Sequence, residues 1–192
     1  MYSTIEEKTQ ATTGNRELKT NLDIYHRLHE LGFNLIPMHK KKPLAKWATF
    51  QKRKVSDAQL QHWLTNPYEI SPLEFALVTG AGETPVIVID ADDEESSELI
   101  RGKCPSTLEV KTTRGFHFYF KWDNKTGCPI VDNKSLGYDD CRISIKGFGG
   151  YVRSPSIIRC ANMPLTKETF SNLPAFDATW LPLIANKTVE SH

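Results

Sequence analysis

Apolar residues recur at helical spacing near the start of the chain. Between Glu17 and Gly32 they fall on one helical face, at Leu22, Ile24, Tyr25, Leu28 and Leu31. This period predicts a first helix that begins near Glu17 and stops at Gly32, because glycine is common just after helix ends. Residues 56–59 read Ser-Asp-Ala-Gln, which is a capping-box pattern. Apolar residues follow at positions 60, 63 and 64, and they predict a second helix ended by Pro67.

Further along the chain, short apolar runs predict strands. Residues 86–89 read Val-Ile-Val-Ile, an unbroken β-branched run typical of a central strand covered on both faces. A short acidic helix is predicted over residues 93–101, and Pro37 is expected to close the first strand. The predicted strands cover residues 33–38, 75–79, 86–91, 107–113, 116–122, 142–146 and 151–153. The pattern therefore predicts an α/β (α+β) fold, with a mixed, mostly antiparallel central sheet flanked by helices.

The length and composition of the chain favour a single domain. At 192 residues with 39% hydrophobic residues, the chain can bury a substantial core. We expect a flexible tail over residues 1–18, one domain over residues 19–182 and a second tail over residues 183–192. No apolar stretch approaches the roughly 18 residues of a membrane span, and the polar N-terminus does not resemble a secretory signal. We therefore expect a cytoplasmic protein without membrane contact.

Cysteine spacing and charge distribution indicate which kinds of site the chain can form. The four cysteines form no C-x-x-C pair, which favours reduced structural thiols over a zinc site. The net charge is only +1, but residues 39–54 contain seven Lys or Arg and no acid, whereas residues 90–98 contain six acids and no base. The two halves of a charged site can therefore be far apart in the sequence.

Two aspartates follow the buried β-branched run. Asp90 and Asp92 are two residues apart on a strand, so their carboxylates point to the same side. Carboxylates held this close repel each other unless a cation lies between them, and Mg²⁺ takes oxygen ligands of this kind together with substrate phosphates. Alternatively, Asp92 and the acids after it favour the positive end of the next helix, but that does not explain Asp90.

Candidate hydrogen-bond donors to a phosphate lie where two predicted strands meet. Thr113, Arg114, the Gly115 backbone and His117 together could offer hydroxyl, guanidinium, amide and imidazole groups to one phosphate chain. Alternatively, His117 is a core histidine within an aromatic strand.

A glycine-rich segment and a basic segment complete the candidate residues. The glycines at residues 147–150 predict a tight hairpin, flanked by Lys146 and Arg153, that would let a nucleotide approach the backbone. In the basic segment, residues 39–54, Trp47 and Phe50 alternate with cations that suit a DNA backbone surface where bases can stack. The cations assigned to DNA are Lys42, Lys46, Lys52 and Arg53. Alternatively, this segment is a solvated face around one buried Trp.

The order and spacing of these motifs resemble the bifunctional DNA primase/polymerase N-terminal family (Prim-Pol). This family belongs to the archaeo-eukaryotic primase superfamily and occurs on plasmids, viruses and other mobile elements. The resemblance covers residues 22–160. Its motifs are Gly32 to Pro37, then Lys42-Pro43 and Trp47, Trp63, Ala76 to Gly80, Asp90-x-Asp92, Thr113 to His117, and Gly149 to Val152.

The resemblance implies a primase-like catalytic core and a function. The chain would be a template-dependent nucleotidyltransferase, a DNA primase/polymerase that uses two-metal phosphoryl transfer with Mg²⁺ or Mn²⁺. Asp90 and Asp92 match the family's metal-binding acids. Thr113 and His117 match the residues that hold the triphosphate, and Lys146 would assist them. The implied partners are nucleoside triphosphates, single-stranded or primed DNA, and a helicase domain or subunit.

The chain departs from the family pattern at one position. A third metal-binding acid of the family aligns with Ser144, two residues before Lys146. Asp140 is a possible substitute, but on a regular strand it would lie about 13 Å from the expected point. Two readings follow: an active enzyme, or a weakened or inactive nucleotide- and DNA-binding module of a replication initiator. A sugar or phosphate hydrolase is a third possibility, but it leaves the basic segment and the phosphate motif unexplained.

Overall fold

The computed structural model describes residues 20–122, 142–177 and 179–180. Glu17, Asp140, Cys128, Cys141 and both expected tails lie outside these residues. Within the described part of the chain, Cys104 and Cys160 are free thiols, and burial raises the pKa of Cys104 to about 11. None of the described helices is both long enough and apolar enough to cross a bilayer.

In the described residues, eight strands form two four-stranded sheets. The strands are β1 Leu35–His39, β2 Lys42–Pro43, β3 Glu74–Val78, β4 Val86–Ala91, β5 Leu108–Lys111, β6 Phe116–Lys121, β7 Ile143–Lys146 and β8 Tyr151–Arg153. The first sheet has the order β2-β1-β3-β8 and the second has the order β5-β6-β4-β7. Every pair of neighbouring strands is antiparallel. The α+β class is confirmed, and the strands expected in one central sheet divide between two.

Four α-helices and one 3₁₀ helix accompany the sheets in the part of the chain that the structure describes. They are α1 Asn21–Glu30, α2 Asp57–Leu64, α3 Glu94–Lys103, α4 Lys167–Ser171 and the 3₁₀ helix Trp47–Gln51. The expected start near Glu17 is wrong, because Thr20 is the N-cap of α1 and forms a capping box with Asp23. Gly32, with a φ of 91°, follows the end of this helix as expected.

Strand β4 is covered on both faces, as its β-branched sequence predicts. Val86 and Val88 face the first sheet and join a core that includes Phe75 of β3. Ile87 and Ile89 face the other way and pack with Leu99 and Ile100 of α3. The inner face of the second sheet therefore lies against the first sheet, and Asp90 continues that inner face.

The turn between β1 and β2 was not predicted. Strand β1 runs through Pro37 to His39, and a two-residue turn at Lys40 and Lys41 reverses the chain so that His39 pairs with Lys42. Both turn residues have positive φ, at 44° and 69°. This is the arrangement of a type I′ hairpin, which normally uses Asn-Gly, so the two lysines gave no turn signal.

Candidate active site

Asp90 lies at the centre of the candidate site because of the strand register. On β4 it is directly opposite His117 of β6 on one side and Ser144 of β7 on the other. Residues directly opposite in antiparallel strands project to the same face, so all three side chains share the inner face of the second sheet. His117 Nε2 lies 3.3 Å from Asp90 Oδ1, and its side chain is only 8% exposed.

The electrostatic surroundings favour an ionised Asp90. Burial raises the pKa of this carboxyl, but the hydrogen bond and the charge of His117 lower it. Lys146 and Arg114 lower it further, and the net result is a pKa below the ordinary value of 3.8. Asp90 is therefore a carboxylate at neutral pH, held beside cationic side chains.

Asp92 already has a cationic partner in Arg114. The Arg114 Nη2 atom lies 3.0 Å from Asp92 Oδ1, and both side chains are about half exposed. A close backbone approach brings them together, because a Cβ on Gly115 would lie 2.0 Å from the Ala91 carbonyl oxygen. Only glycine allows the β5–β6 turn to lie this near the end of β4.

A pocket of about 480 Å³ opens between the two sheets at this point. Six residues predicted from the sequence line it: Asp90, Asp92, Thr113, Arg114, His117 and Lys146. Gly115 does not line it, and its N–H donates to Thr112 Oγ1 at 3.1 Å. Ser144 is half-buried opposite Asp90 but is not part of the lining, and Asp140 lies outside the described residues.

The first sheet supplies lining residues that were not predicted. Lys41 comes from the β1–β2 turn, Arg153 from β8, and Arg159 from the segment after β8. Met38 and Tyr151 also line the pocket. Arg153 was noted only as a flank of the glycine turn and Lys41 only as part of the basic segment, and no local pattern marked Arg159. Only the packing of the two sheets brings these three residues to the acids.

The cations assigned to DNA lie on a segment that leads to the pocket. Lys42, Lys46, Lys52 and Arg53 are exposed. Trp47 packs edge-on against Tyr151, which lines the pocket, with ring centroids 5.4 Å apart. The expectation that Phe50 could stack on a base is wrong, because it is 5% exposed and packs against Trp63.

Gln51 attaches this segment to the glycine turn. Its Oε1 accepts from the Gly149 N–H at 3.0 Å, and its Nε2 donates to the Gly150 carbonyl at 3.2 Å. Both glycines line the pocket. The basic segment is therefore tied to the pocket by side-chain hydrogen bonds, a role of Gln51 that its sequence neighbours do not indicate.

A comparison with protein-family models identifies the chain's relatives. Residues 26–174 match the family described as bifunctional DNA primase/polymerase, N-terminal. The chain belongs to this family. Prim-Pol membership confirms the resemblance drawn from the motifs and indicates a nucleotidyltransferase of the DNA primase/polymerase type. A search of curated proteins finds no match.

The Prim-Pol pocket offers few side chains that could act as metal ligands. Among the described residues, no group of three or more His, Cys, Asp or Glu side chains is arranged to hold a metal ion. Asp90 and Asp92 nevertheless provide two carboxylates at one pocket, which fits a Mg²⁺ or Mn²⁺ ion that completes its shell with phosphate and water oxygens. Ser144, directly opposite Asp90 on β7, adds no anionic group.

Proposed function

We propose that the chain is a template-dependent nucleotidyltransferase, a DNA primase/polymerase of a plasmid, virus or other mobile element. The observation that carries this proposal is that Asp90 and Asp92 line the same pocket as hydrogen-bond donors suited to phosphate oxygens. The pocket volume of about 480 Å³ lies in the range of small-molecule sites and suits one nucleotide. Family membership and site composition therefore support the same reaction class.

The nucleotide's triphosphate would lie along the second sheet. Thr113 and Arg114 are exposed at the β5–β6 turn, while His117 and Lys146 sit on the neighbouring strands and also line the pocket. Hydroxyl, guanidinium and ammonium donors suit phosphate oxygens, and charge-assisted hydrogen bonds are the stronger kind. Because phosphates would compete with Asp92 for Arg114, nucleotide binding would release the Asp92 carboxylate from its ion pair.

Asp90 and Asp92 would hold a divalent cation, Mg²⁺ or Mn²⁺. When bound, such ions activate the attacking 3′-hydroxyl and stabilise the charge on the α-phosphate and the leaving pyrophosphate. The protein's own contribution is to keep Asp90 ionised, through His117 and Lys146. In a two-metal scheme, the ion nearest the 3′-hydroxyl would lack an anionic ligand at Ser144.

The nucleic-acid partner would be single-stranded or primed DNA. Lys42, Lys46, Lys52 and Arg53 would contact its phosphates along the basic segment, residues 39–54. Trp47 would support that surface through its contact with Tyr151 rather than as a fully exposed stacking platform. A helicase domain or subunit would supply strand opening, in keeping with replication on a mobile element.

A second candidate function is nucleotide and DNA binding without synthesis, as in a replication initiator. Two observations favour it. Ser144, which the resemblance aligns with the family's third acid, lies opposite Asp90 without a carboxylate, and Asp90 and Asp92 already have histidine or cationic partners within the chain. A pocket lined by five Lys or Arg side chains and two carboxylates can bind the negative charge of a nucleotide with little help from a metal ion.

Primer extension with Mg²⁺ and Mn²⁺ separates the two candidates. We expect wild-type synthesis to be low and better supported by Mn²⁺, because Mn²⁺ binds a given N/O site more tightly than the harder Mg²⁺. Ser144→Asp should raise synthesis with both ions, since a residue directly opposite Asp90 adds its carboxylate to the same face. The control Asp140→Asn should change little.

The opposite pattern would locate the third ligand elsewhere. If Ser144→Asp is neutral and Asp140→Asn abolishes extension, the chain uses Asp140 as its third acid. If neither wild type nor Ser144→Asp extends a primer with either ion, while nucleotide and DNA binding persist, the binding module is the correct function.

A further inference from the structure

The wall of the pocket formed by the first sheet carries cations of its own. Lys41, Arg153 and Arg159 line the pocket from the β1–β2 turn, from β8 and from the segment after β8. The second sheet supplies both acids of the lining, Asp90 and Asp92. We call the three cations the first-sheet wall, and the proposed function assigns them no role.

The two arginines are held in place by one carboxylate. Glu74 Oε1 lies 3.0 Å from Arg159 Nη1, and Glu74 Oε2 lies 3.4 Å from Arg153 Nη2. Arg159 is 7% exposed, and its Nε donates to the Ser154 carbonyl at 3.1 Å. The single charge of Glu74 cannot neutralise two guanidinium groups and the Lys41 ammonium. The Nε of Arg153 is also buried without a hydrogen-bond partner among the described residues.

Lys41, one of the three cations of the first-sheet wall, has a strained backbone conformation. Lys40 and Lys41 have φ values of 44° and 69°, a region that costs a non-glycine residue on the order of 1–3 kcal/mol. Asn-Gly would form the same turn with less strain. A lysine at such a position, with its side chain in the lining of a pocket, points to a ligand that needs its charge.

We propose that the first-sheet wall binds a phosphate of the DNA strand to be extended, at the linkage next to its 3′ end. This proposal rests on the proposed function, in which the triphosphate lies on the second sheet. A strand whose 3′-hydroxyl reaches Asp90 must bring its last phosphate into the same pocket. That phosphate needs cations that the triphosphate does not already use, and the first-sheet wall supplies them.

The position of the basic segment supports a strand rather than a second small anion. The chain continues from Lys41 to Lys42 and Lys46, both exposed, and then to Gln51, which binds the glycine turn at the pocket. Exposed cations therefore follow Lys41 along β2 and the segment after it, which returns to the pocket at Gln51. A polynucleotide can follow such a path with successive phosphates, whereas a free nucleotide would use the pocket alone.

The direct test combines a protein variant with a modified strand. Affinity for a single-stranded oligonucleotide is measured by fluorescence anisotropy, with a normal or a charge-neutral methylphosphonate 3′-terminal linkage. Arg153→Gln should weaken binding of the normal strand about tenfold, and it should cause almost no further loss on the strand with the neutral linkage. The salt dependence of the variant should fall by about 0.7 in log-log slope.

Lys41→Gly gives a second variant that leaves the turn conformation intact. Glycine adopts this backbone without strain, so the variant should unfold at a temperature no lower than wild type while binding the normal strand more weakly. Lys40→Gly is the matched control on the same turn. Its effect should be equal on the normal and neutral-linkage strands, because Lys40 does not line the pocket.

Each outcome separates this proposal from the proposed function. If Arg153→Gln and Lys41→Gly weaken both strands equally, or leave both unchanged, the strand-phosphate subsite is wrong. If they instead reduce affinity for a nucleoside triphosphate alone, the first-sheet wall belongs to the nucleotide. If wild type binds the strand through Arg153 but binds no nucleoside triphosphate, the subsite stands and the nucleotidyltransferase function fails.

Discussion

At the scale of single residues, the two acids of the pocket have different surroundings although they are two positions apart. Asp90 is 22% exposed and contacts a nearly buried His117. Asp92 is 49% exposed and pairs with the exposed Arg114. An exposed ion pair contributes only about 0–1 kcal/mol, so the partner of Asp92 is easily exchanged, whereas the partner of Asp90 is fixed by strand register.

Arg114→Gln should therefore change metal and nucleotide affinity in opposite directions. Without nucleotide, loss of the Asp92 partner should raise Mn²⁺ affinity by up to about fivefold, because the exposed pair is weak. Affinity for a nucleoside triphosphate should fall about tenfold or more, since a charge-assisted hydrogen bond is lost. Calorimetric titration with each ligand measures both effects.

Arg142→Gln is the matched control for this prediction. Arg142 pairs with Asp93, with Arg142 Nε 3.5 Å from Asp93 Oδ2, and neither residue lines the pocket. Its replacement should leave both affinities at their wild-type values. Parallel losses of metal and nucleotide affinity in Arg114→Gln would mean that Arg114 orders the pocket instead of competing for Asp92.

The lowered pKa of Asp90 predicts a pH-dependent contribution to stability. A carboxyl whose pKa is lower in the folded state stabilises the fold above its ordinary pKa of 3.8, and this stabilisation is lost as the pH falls through the folded value. Wild type should exceed Asp90→Asn in free energy of unfolding at pH 7, and the difference should shrink below about pH 4. Urea denaturation between pH 7 and 3 tests this. A difference independent of pH would show that the His117 and Lys146 contacts do not favour the ionised form.

Sequence reasoning found the acid side of the pocket but not its opposite wall. Asp90, Asp92, Thr113 and His117 carry local signals: alternation on a strand, paired carboxylates, and donors at a turn. Arg159 carries none, because it lies outside the predicted strands and helices, and only the packing of the first sheet buries it next to Glu74. Tertiary contacts of this kind are not encoded in short patterns.

At the scale of elements, the β5–β6 turn determines how far Arg114 lies from the two acids of the pocket. Gly115 lets this turn lie against the backbone of β4, where a Cβ would come 2.0 Å from the Ala91 carbonyl oxygen and 2.9 Å from the Asp93 nitrogen. Backbone atoms cannot move aside as a flexible side chain would. The turn, and Arg114 with it, must shift if this glycine is replaced.

Gly115→Ala should therefore destabilise the protein by about 1–3 kcal/mol and weaken nucleotide binding. Gly102→Ala is the matched control: it lies in α3 with no atom within 4 Å of the added Cβ, and it should stabilise by about 0.5–1 kcal/mol. Urea denaturation and nucleotide titration of the two variants provide the comparison. Equal stability of both variants would mean that the β5–β6 turn moves freely, so that it does not fix the site.

The sequence predicted strands correctly where the residue pattern is clear, and it missed the short strand that follows an unusual turn. Strand β4, residues 86–91, and strand β8, residues 151–153, match their predicted limits. Strand β2 has only two residues and follows a turn of two lysines, so neither length nor turn residues marked it. The division into two sheets depends on which strands pair, and hydrophobic alternation does not specify that.

At the scale of the whole molecule, the site depends on two sheets meeting at one pocket. The second sheet provides the acids and hydrogen-bond donors that suit a phosphate. The first sheet provides cations, and Gln51 of the basic segment hydrogen-bonds to the glycine turn beside it. Neither sheet alone brings Asp90 near Arg159. In the proposed function, a nucleotide and a DNA strand would approach the acids from different sides, as template-directed synthesis requires.

The most direct test of this account is the identity of the nucleotide added to a primed template. Templates that differ only at the first unpaired base are incubated with each labelled nucleotide in turn, with Mn²⁺. The account predicts that wild type and Ser144→Asp add the complementary nucleotide. An Asp90→Asn/Asp92→Asn protein should add none while keeping its wild-type circular dichroism spectrum. Incorporation that ignores the template base, or that persists in the double variant, would contradict a template-directed nucleotidyltransferase centred on these two acids.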